Sequence, residues 1–409
     1  MGGVEHSAYQ FADTHIHASQ YPNVGIFGKS TLLDWLTTYT FPLESSLGNP
    51  NSPMYRSSST TPDPLARAKA VYTRVISRTL SYGTTTASYY ATIHVPATNL
   101  LATLAFNLGQ RAFIGRVCMD NPDTCPDYYR DESTEETLKA THATIEHCRS
   151  LDPDGKLVAP ILTPRFAPSC VEATLSALGE LAKKEPEMRI QTHISENKSE
   201  VELVKSLFPG QTSYSAVYDK YGLLTPRTIL AHAVHLSPEE VELVKARSAK
   251  ISHCPASNSA LGSGMCPVRD LLDAGIDVGL GTDVSGGYSA SIMETVRQAC
   301  LVSRHVGYVR GGDARYNIGV AEGLYLATMG GAKVVGMEGR LGGLEKGMLW
   351  DVQEINLGTV GIEGTGEDGA VDVFGWETWE ERIAKWVWNG DDRNVRRVWV
   401  GGRLVHEQR

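Results

Sequence analysis

Several features that would place this chain in a class at a glance are absent from it. No uninterrupted apolar stretch reaches the roughly 18 residues of a membrane-spanning helix. The polar start, Met1 to Ser7, has neither the basic nor the apolar region of a secretory signal. A cytoplasmic location is the expectation. Lys and Arg number 38 against 47 Asp and Glu, a net charge of -9, and no run concentrates the basic residues. That argues against a nucleic-acid surface and against an anionic membrane, and favours a small-molecule partner without charge. Seven cysteines, an odd number with no Cys-x-x-Cys pair, argue against a disulfide framework and against a thiolate zinc site. Gly28-Lys29-Ser30-Thr31 has the ending of a phosphate-binding loop, but Asn23 stands where the first glycine belongs. Asn197-Lys198-Ser199 is a glycosylation sequon by pattern alone.

At 409 residues the chain exceeds one average domain, and a barrel of roughly 250 residues with insertions and one small satellite accounts for it. One rhythm runs from near residue 10 to near residue 285. Phe11–His17 opens it as a strand, followed by a helical segment at 30–39. Residues 45–64, rich in Ser, Pro and Asn, read as a long loop of the kind that borders sites. Apolar residues at three- and four-residue steps predict a helix at 65–80, and β-branched residues a strand at 83–90. A helix at 98–108 and a strand at 112–119 come next. Short apolar strands are then predicted at 157–162, 190–193, 228–232, 250–253 and 277–281, mostly separated by helical runs such as 171–184 and 238–247. Eight strands alternating with helices predict an α/β fold, a parallel sheet closed into a (β/α)8 TIM barrel over residues 9–340.

The chemistry lies in what these strands end in. The first ends in His15 and His17, the fourth in Arg165-Phe166, the fifth in His193, the sixth in His232, the seventh in His253 and the eighth in Asp283. Alternate side chains of an extended strand share a face, so the two histidines of a His-x-His can point at one place. By itself such a pair also describes two half-buried histidines on an ordinary strand. In a TIM barrel, however, the carboxyl ends of all strands open on one mouth, where the active sites of the fold are built. Imidazoles and a carboxylate gathered there supply nitrogen and oxygen ligands for a zinc-like ion, with a position left for water. Glu196, three residues beyond His193, is placed to overhang that point without binding it, as a general acid or base must. His94, His235 and His305 have no assigned partner and read as packing or surface residues.

Asp13-Thr14-His15-Ile16-His17-Ala18, His193-x-x-Glu196, His232 and Gly281-Thr282-Asp283 together resemble the amidohydrolase superfamily. Further segments resemble its guanine deaminase family: His17-Ala18-Ser19-Gln20-Tyr21, Leu33-Asp34-Trp35-Leu36 running to Tyr39-Thr40-Phe41-Pro42, Val117-Cys118-Met119-Asp120, Thr163-Pro164-Arg165-Phe166-Ala167-Pro168, and His253-Cys254-Pro255-x-Ser257-Asn258. The resemblance spans residues 9–350. It implies a zinc-dependent hydrolytic deamination of guanine to xanthine and ammonia, and a homodimer. One Zn²⁺ per chain would be held by His15, His17, His193 and Asp283, with His232 matching a further ligand or a partner of the water. Gln20, Arg165 and Phe166 match the positions that hold the purine, and an arginine and a glutamine suit its carbonyl edge. In that reading Asp283 takes a proton from the water, while Glu196 carries one to ring nitrogen N3 as C2 is attacked. Trp35 and Tyr39, four apart on a helix, read as packing rather than as substrate cover. An unrelated group of zinc deaminases carries a Pro-Cys-x-x-Cys run that this chain lacks, so the reading rests on the barrel.

Beyond the eighth strand, helices are predicted at 292–306 and 320–335, and the character changes over 341–409. Leu341-Gly342-Gly343 to Val352 reads as a turn and a strand, and 395–405 as a hairpin around Gly401-Gly402. These resemble the carboxyl-terminal half of the small β-domain of the superfamily, read as truncated because only Met1 to Gln10 precede the first barrel strand. Strands from Met348 and Val395 are then expected to lack partners, or else to pair among themselves beneath Trp376, Trp379 and Trp386. Two other functions stay open. One is a deaminase or halohydrolase of another purine, a pterin or a triazine, which the same ligands would serve. The other is a non-catalytic binding or assembly homologue, against which stands the retention of every site residue.

Overall fold

The computed structural model of the protein describes residues 6–57, 63–360 and 369–408. After β1 (His6–Tyr9), which belongs to a second sheet, the barrel strands follow in chain order. They are β2 (Phe11–His17), β3 (Thr84–Tyr90), β4 (Arg111–Gly115) with its short continuation β5 (Val117–Cys118), β6 (Val158–Pro164), β7 (Arg189–Ile194), β8 (Thr228–His232), β9 (Lys250–His253) and β10 (Val278–Leu280). Neighbours pair in parallel throughout. β10 returns against β2, where the Asp283 N–H donates to the His15 carbonyl at 2.9 Å and the His17 N–H to the Val284 carbonyl at 3.1 Å. The α/β barrel expected from the strand rhythm is the one the chain adopts.

Helices pack around this ring by ordinary amphipathic logic. In Pro64–Ser81 the buried residues are Ala68, Val71, Tyr72, Val75, Ile76, Thr79 and Leu80, a single stripe at three- and four-residue steps. Asp63 caps the helix, its carboxylate accepting the Leu65 N–H at 3.1 Å. Among the described residues, no helix is long and apolar enough to cross a membrane. All seven cysteines are buried and unpaired.

Some elements differ from expectation for identifiable reasons. The helix expected at 30–39 begins at Leu32, widens into a π-turn over Leu36–Thr40 and runs on through Phe41–Ser45. Pro42 has no N–H to donate back into the preceding turn, and a widened turn accommodates that loss. The strand expected at 112–119 divides at Arg116, whose buried side chain donates to the Ile93 carbonyl at 2.8 Å and pairs with Asp131. The expected loop 45–64 contains a short helix, Pro53–Ser57, and its residues 58–62 lie outside those described. The second helix beyond the barrel strands is likewise interrupted, as Val320–Tyr325, a π-turn and Gly331–Val334.

The small sheet corrects the expectation of unpartnered strands. β11 (Val352–Ile355) starts later than read from the sequence, β12 (Val395–Val400) and β13 (Arg403–Glu407) form the hairpin, and the order is β1-β11-β12-β13, antiparallel throughout. β11 and β12 are therefore inner strands. Asp351, just before β11, is fully buried and ties this sheet to the base of the barrel. Its carboxylate accepts from Arg111 Nη2 at 3.1 Å and from the Gly401 N–H at 2.8 Å. Of the three tryptophans expected over the sheet only Trp386 is buried; it stacks on Phe11 with ring centroids 6.2 Å apart, whereas Trp376 is 74% and Trp379 52% exposed.

Trp386→Ala is accordingly expected to destabilise the protein by about 3–5 kcal/mol, and Trp376→Ala by no more than about 0.5 kcal/mol. Denaturant melts of the two variants check this, and equal losses would refute the packing role given to Trp386.

Candidate active site

The mouth of the barrel is built from strand ends held in unusual backbone geometry. Among the described residues, five other than glycine have positive φ; three of them, Ser195, His232 and Ala233, end or directly follow β7 and β8, and a fourth, Asp283, lies three residues past the end of β10. Such conformations cost on the order of 1–3 kcal/mol each and persist where the surroundings over-determine them. Gly281 shows how tight the approach is: a Cβ there would lie 2.7 Å from His15 Cβ and 2.7 Å from Ser252 Oγ. Beneath Asp283, the buried carboxylate of Asp13 accepts the Thr282 N–H at 3.0 Å and its hydroxyl at 2.5 Å, which fixes the Gly-Thr-Asp turn against β2.

On this scaffold His15, His17, His193 and Asp283 converge. His15 Nε2 lies 3.2 Å and His17 Nε2 3.4 Å from Asp283 Oδ1, and His17 Nε2 lies 3.1 Å from His193 Nε2. His193 Nδ1 donates to the Arg165 carbonyl at 2.5 Å, so the lone pair of the neutral ring is on Nε2 and faces the others. His232 stands next to them, with Nδ1 donating to Asn258 Oδ1 at 2.9 Å and Nε2 3.8 Å from Asp283 Oδ2. Burial pushes the imidazoles of His15, His17 and His193 below their ordinary pKa, and for His17 and His193 the neighbouring histidines add to the effect. Neutral imidazoles are the form that binds metal.

These groups fit a divalent ion. Nε2 of His15 and Nε2 of His232 are buried without a hydrogen-bond partner, a demand that a cation between them would meet, each ring offering it one nitrogen. His15, His17 and His193 offer ligand atoms within 4.8 Å of one another, and so do His15, His232 and Cys254. Nitrogen and carboxylate oxygen donors at one point suit zinc. His253, also at a strand end, is buried with Nδ1 unpartnered but does not join the cluster.

Two carboxylates at this site are driven in opposite directions. Burial, reinforced by the charge of Asp283, pushes Glu196 up to about 8 despite a hydrogen bond from Ser263. Burial also acts on Asp283, but the His15 imidazole 3.2 Å away and the charge of His232 outweigh it and hold the group at about 2. Glu196 Oε2 is 3.4 Å from His232 Nε2, and Oε1 accepts the Ser263 hydroxyl at 3.1 Å. Its backbone N–H donates to Glu200 at 2.8 Å, so the loop that carries it is also pinned. His235, read from the sequence as unpartnered, bonds the Ser263 carbonyl at 2.7 Å and so belongs to this network.

A cavity opens from the cluster. His17, His193, His232, Asp283 and Glu196 form one end, and Gln20, Arg165 and Phe166 another. Leu32, Trp35, Leu36 and Leu261 supply an apolar wall. Every site residue named from the sequence is thus brought to one mouth. Trp35, read as packing, lines the cavity, while Tyr39 does not. Sequence reasoning also missed Glu44, which receives both Arg165 and Gln20; the signal was its position two residues after the Tyr-Thr-Phe-Pro segment.

With fold and site in view, comparison with known proteins gives the class. The amidohydrolase family model matches residues 11–405, and the chain belongs to the amidohydrolase family. Within it, the chain is 51% identical over 393 residues to a probable guanine deaminase of Schizosaccharomyces pombe, covering 96% of this chain and 70% of that one. It is 42% identical over 397 residues to the guanine deaminase of Homo sapiens, covering 96% and 81%. In structure it superposes on the guanine deaminase from C. acetobutylicum with bound guanine in the active site, with a TM-score of 0.85, 33% identity, and coverage of 98% and 87%.

Asn258 fixes which His232 nitrogen carries the proton, and losing such an outer partner typically weakens metal affinity about 10–100-fold. Asn258→Ala is expected to show that loss in competition with a chromophoric chelator. Unchanged affinity would mean that the His232 lone pair is not used.

Proposed function

We propose that this protein hydrolyses guanine to xanthine and ammonia with one zinc ion per chain, held by His15, His17, His193 and Asp283 and adjoined by His232. The observation that carries this reading is a cavity with the imidazole cluster, Asp283 and Glu196 at one end and the donors of Arg165 and Gln20 at the other. The named activity of the similar proteins supports it. When bound, the ion supplies a water of pKa about 7 and an electrophilic centre.

The remaining work falls to side chains. Arg165 and Gln20 hold the carbonyl edge of the purine, and Phe166, whose ring centroid is 6.5 Å from that of His193, bounds the ring system on one side. Asp283 is ionised and accepts a proton from the attacking water. Glu196, whose burial favours the protonated form, gives its proton to N3 as the water oxygen adds to C2, and the exocyclic amine leaves as ammonia on taking the proton that Asp283 accepted from the water. The apolar wall of Leu32, Trp35, Leu36 and Leu261 keeps bulk water from these proton transfers. We further read the catalytic unit as residues 9–340 with 341–409 as a supporting β-unit, and the active form as a cytoplasmic homodimer. The seven buried thiols accord with a reducing compartment.

Ammonia release from guanine by the zinc-loaded protein, with adenine for comparison, tests the reading; adenine as the better substrate would overturn it. His193→Ala is expected to lose the metal. Glu196→Gln should keep it and lose about 10²–10⁴-fold in turnover. Metal analysis of the two variants separates these roles, and equal metal loss would show them wrongly assigned. Arg165→Ala should retain zinc and lose roughly tenfold to a hundredfold in kcat/KM for guanine, the worth of a charged hydrogen bond.

A further inference from the structure

We infer that Glu44 is the positioning residue that fixes how the cavity reads its substrate, clamping Arg165 and Gln20 from behind; this rests on the reading of the cavity as a guanine site. Glu44 sits near the end of Phe41–Ser45 and is fully buried, yet it does not line the cavity. Four donor contacts end on its one carboxylate. Oε1 accepts Gln20 Nε2 at 2.8 Å and Arg165 Nη2 at 3.2 Å, while Oε2 accepts Arg165 Nη1 at 2.7 Å and the Tyr129 hydroxyl at 2.7 Å.

The consequences follow from the donor inventory. Gln20 is fixed at both ends of its amide, because Oε1 accepts the Ser285 N–H at 3.2 Å while Nε2 is spent on Glu44. The amide cannot flip without breaking both bonds, and it keeps one N–H and one lone pair to offer a ligand. Arg165 meets Glu44 as a two-pronged pair, with the Phe41 ring 5.1 Å from its guanidinium carbon, so the plane of the guanidinium is set. A buried cation without a partner is strongly unfavourable. Balanced by Glu44, Arg165 presents oriented N–H groups rather than a bare charge, which favours a neutral carbonyl edge over an anionic ligand. The Arg165 carbonyl meanwhile holds the Nδ1 proton of His193, so one residue joins the clamp to the imidazole cluster.

The test is a double-mutant cycle in the zinc-loaded full chain with Glu44→Gln, Arg165→Met and their combination, read by guanine kinetics, metal content and melting temperature. Glu44→Gln is expected to lower kcat/KM roughly tenfold to a hundredfold, mainly through KM, with metal content unchanged. In the Arg165→Met background the same change should cost less than about threefold, since the group it positions is gone. Glu44→Asp, which keeps the charge, should recover part of the loss. An unaltered KM and kcat in Glu44→Gln, an equal loss in both backgrounds, or a loss that tracks metal release would each overturn the clamp. If the unsubstituted protein released no ammonia from guanine, the reading of the reaction would fall by itself, and the melts would then decide the clamp. Arg165→Met should melt lower because Glu44 is left uncompensated, and the double variant should regain part of that loss. A further drop in the double variant would overturn it.

Discussion

The constraint on which the site depends is that imidazole nitrogens with nothing to bond are buried together at the mouth of a barrel. His17 and His193 bring their Nε2 atoms to 3.1 Å, and His15 has no hydrogen-bond partner at either ring nitrogen. Leaving such groups unsatisfied costs about 1–3 kcal/mol each. The fold nevertheless enforces the arrangement, with left-handed backbone at His232 and Asp283 and with Gly281 making room for His15. The same strain that makes the cluster expensive in isolation makes it ready for a cation.

Burial in that mouth does a second thing. It raises Glu196, with the charge of Asp283 adding to the effect, and fails to raise Asp283, which His15 holds down. Two carboxylates in one cavity are thus pushed in opposite directions by their surroundings. Farther out, Glu44 performs an analogous division of labour by neutralising Arg165 while leaving some of its donors free. Each end of the cavity is organised by a buried carboxylate, Asp283 at one and Glu44 behind the other.

Much of this was legible in the sequence because barrel strands end where the chemistry is. His15, His17, His193, His232 and Asp283 could be read as one group from their place after apolar strands, without knowing any contact between them. What was not legible were partners set by long-range packing. Glu44 lies in a segment with no strand to anchor it and meets Arg165 across 121 positions. β1 pairs with β11, in which Tyr9 sits opposite Val352, a contact that no local pattern encodes. Trp376, Trp379 and Trp386 look alike in sequence, yet only the last faces Phe11. The start of β11 was misplaced because Leu349-Trp350 has strand-like residues, whereas the Arg111–Asp351 pair and its turn delay the strand to Val352.

Cys254 bears on the central claim, because its sulfur falls within reach of His15 and His232. A nitrogen and oxygen site and a site that includes a thiolate differ in their bond lengths to zinc. X-ray absorption of the zinc-loaded protein measures those lengths directly. The account predicts a shell of nitrogen and oxygen scatterers at about 2.0–2.2 Å and none from sulfur. A scatterer near 2.3 Å, the distance of a zinc–thiolate bond, would contradict it.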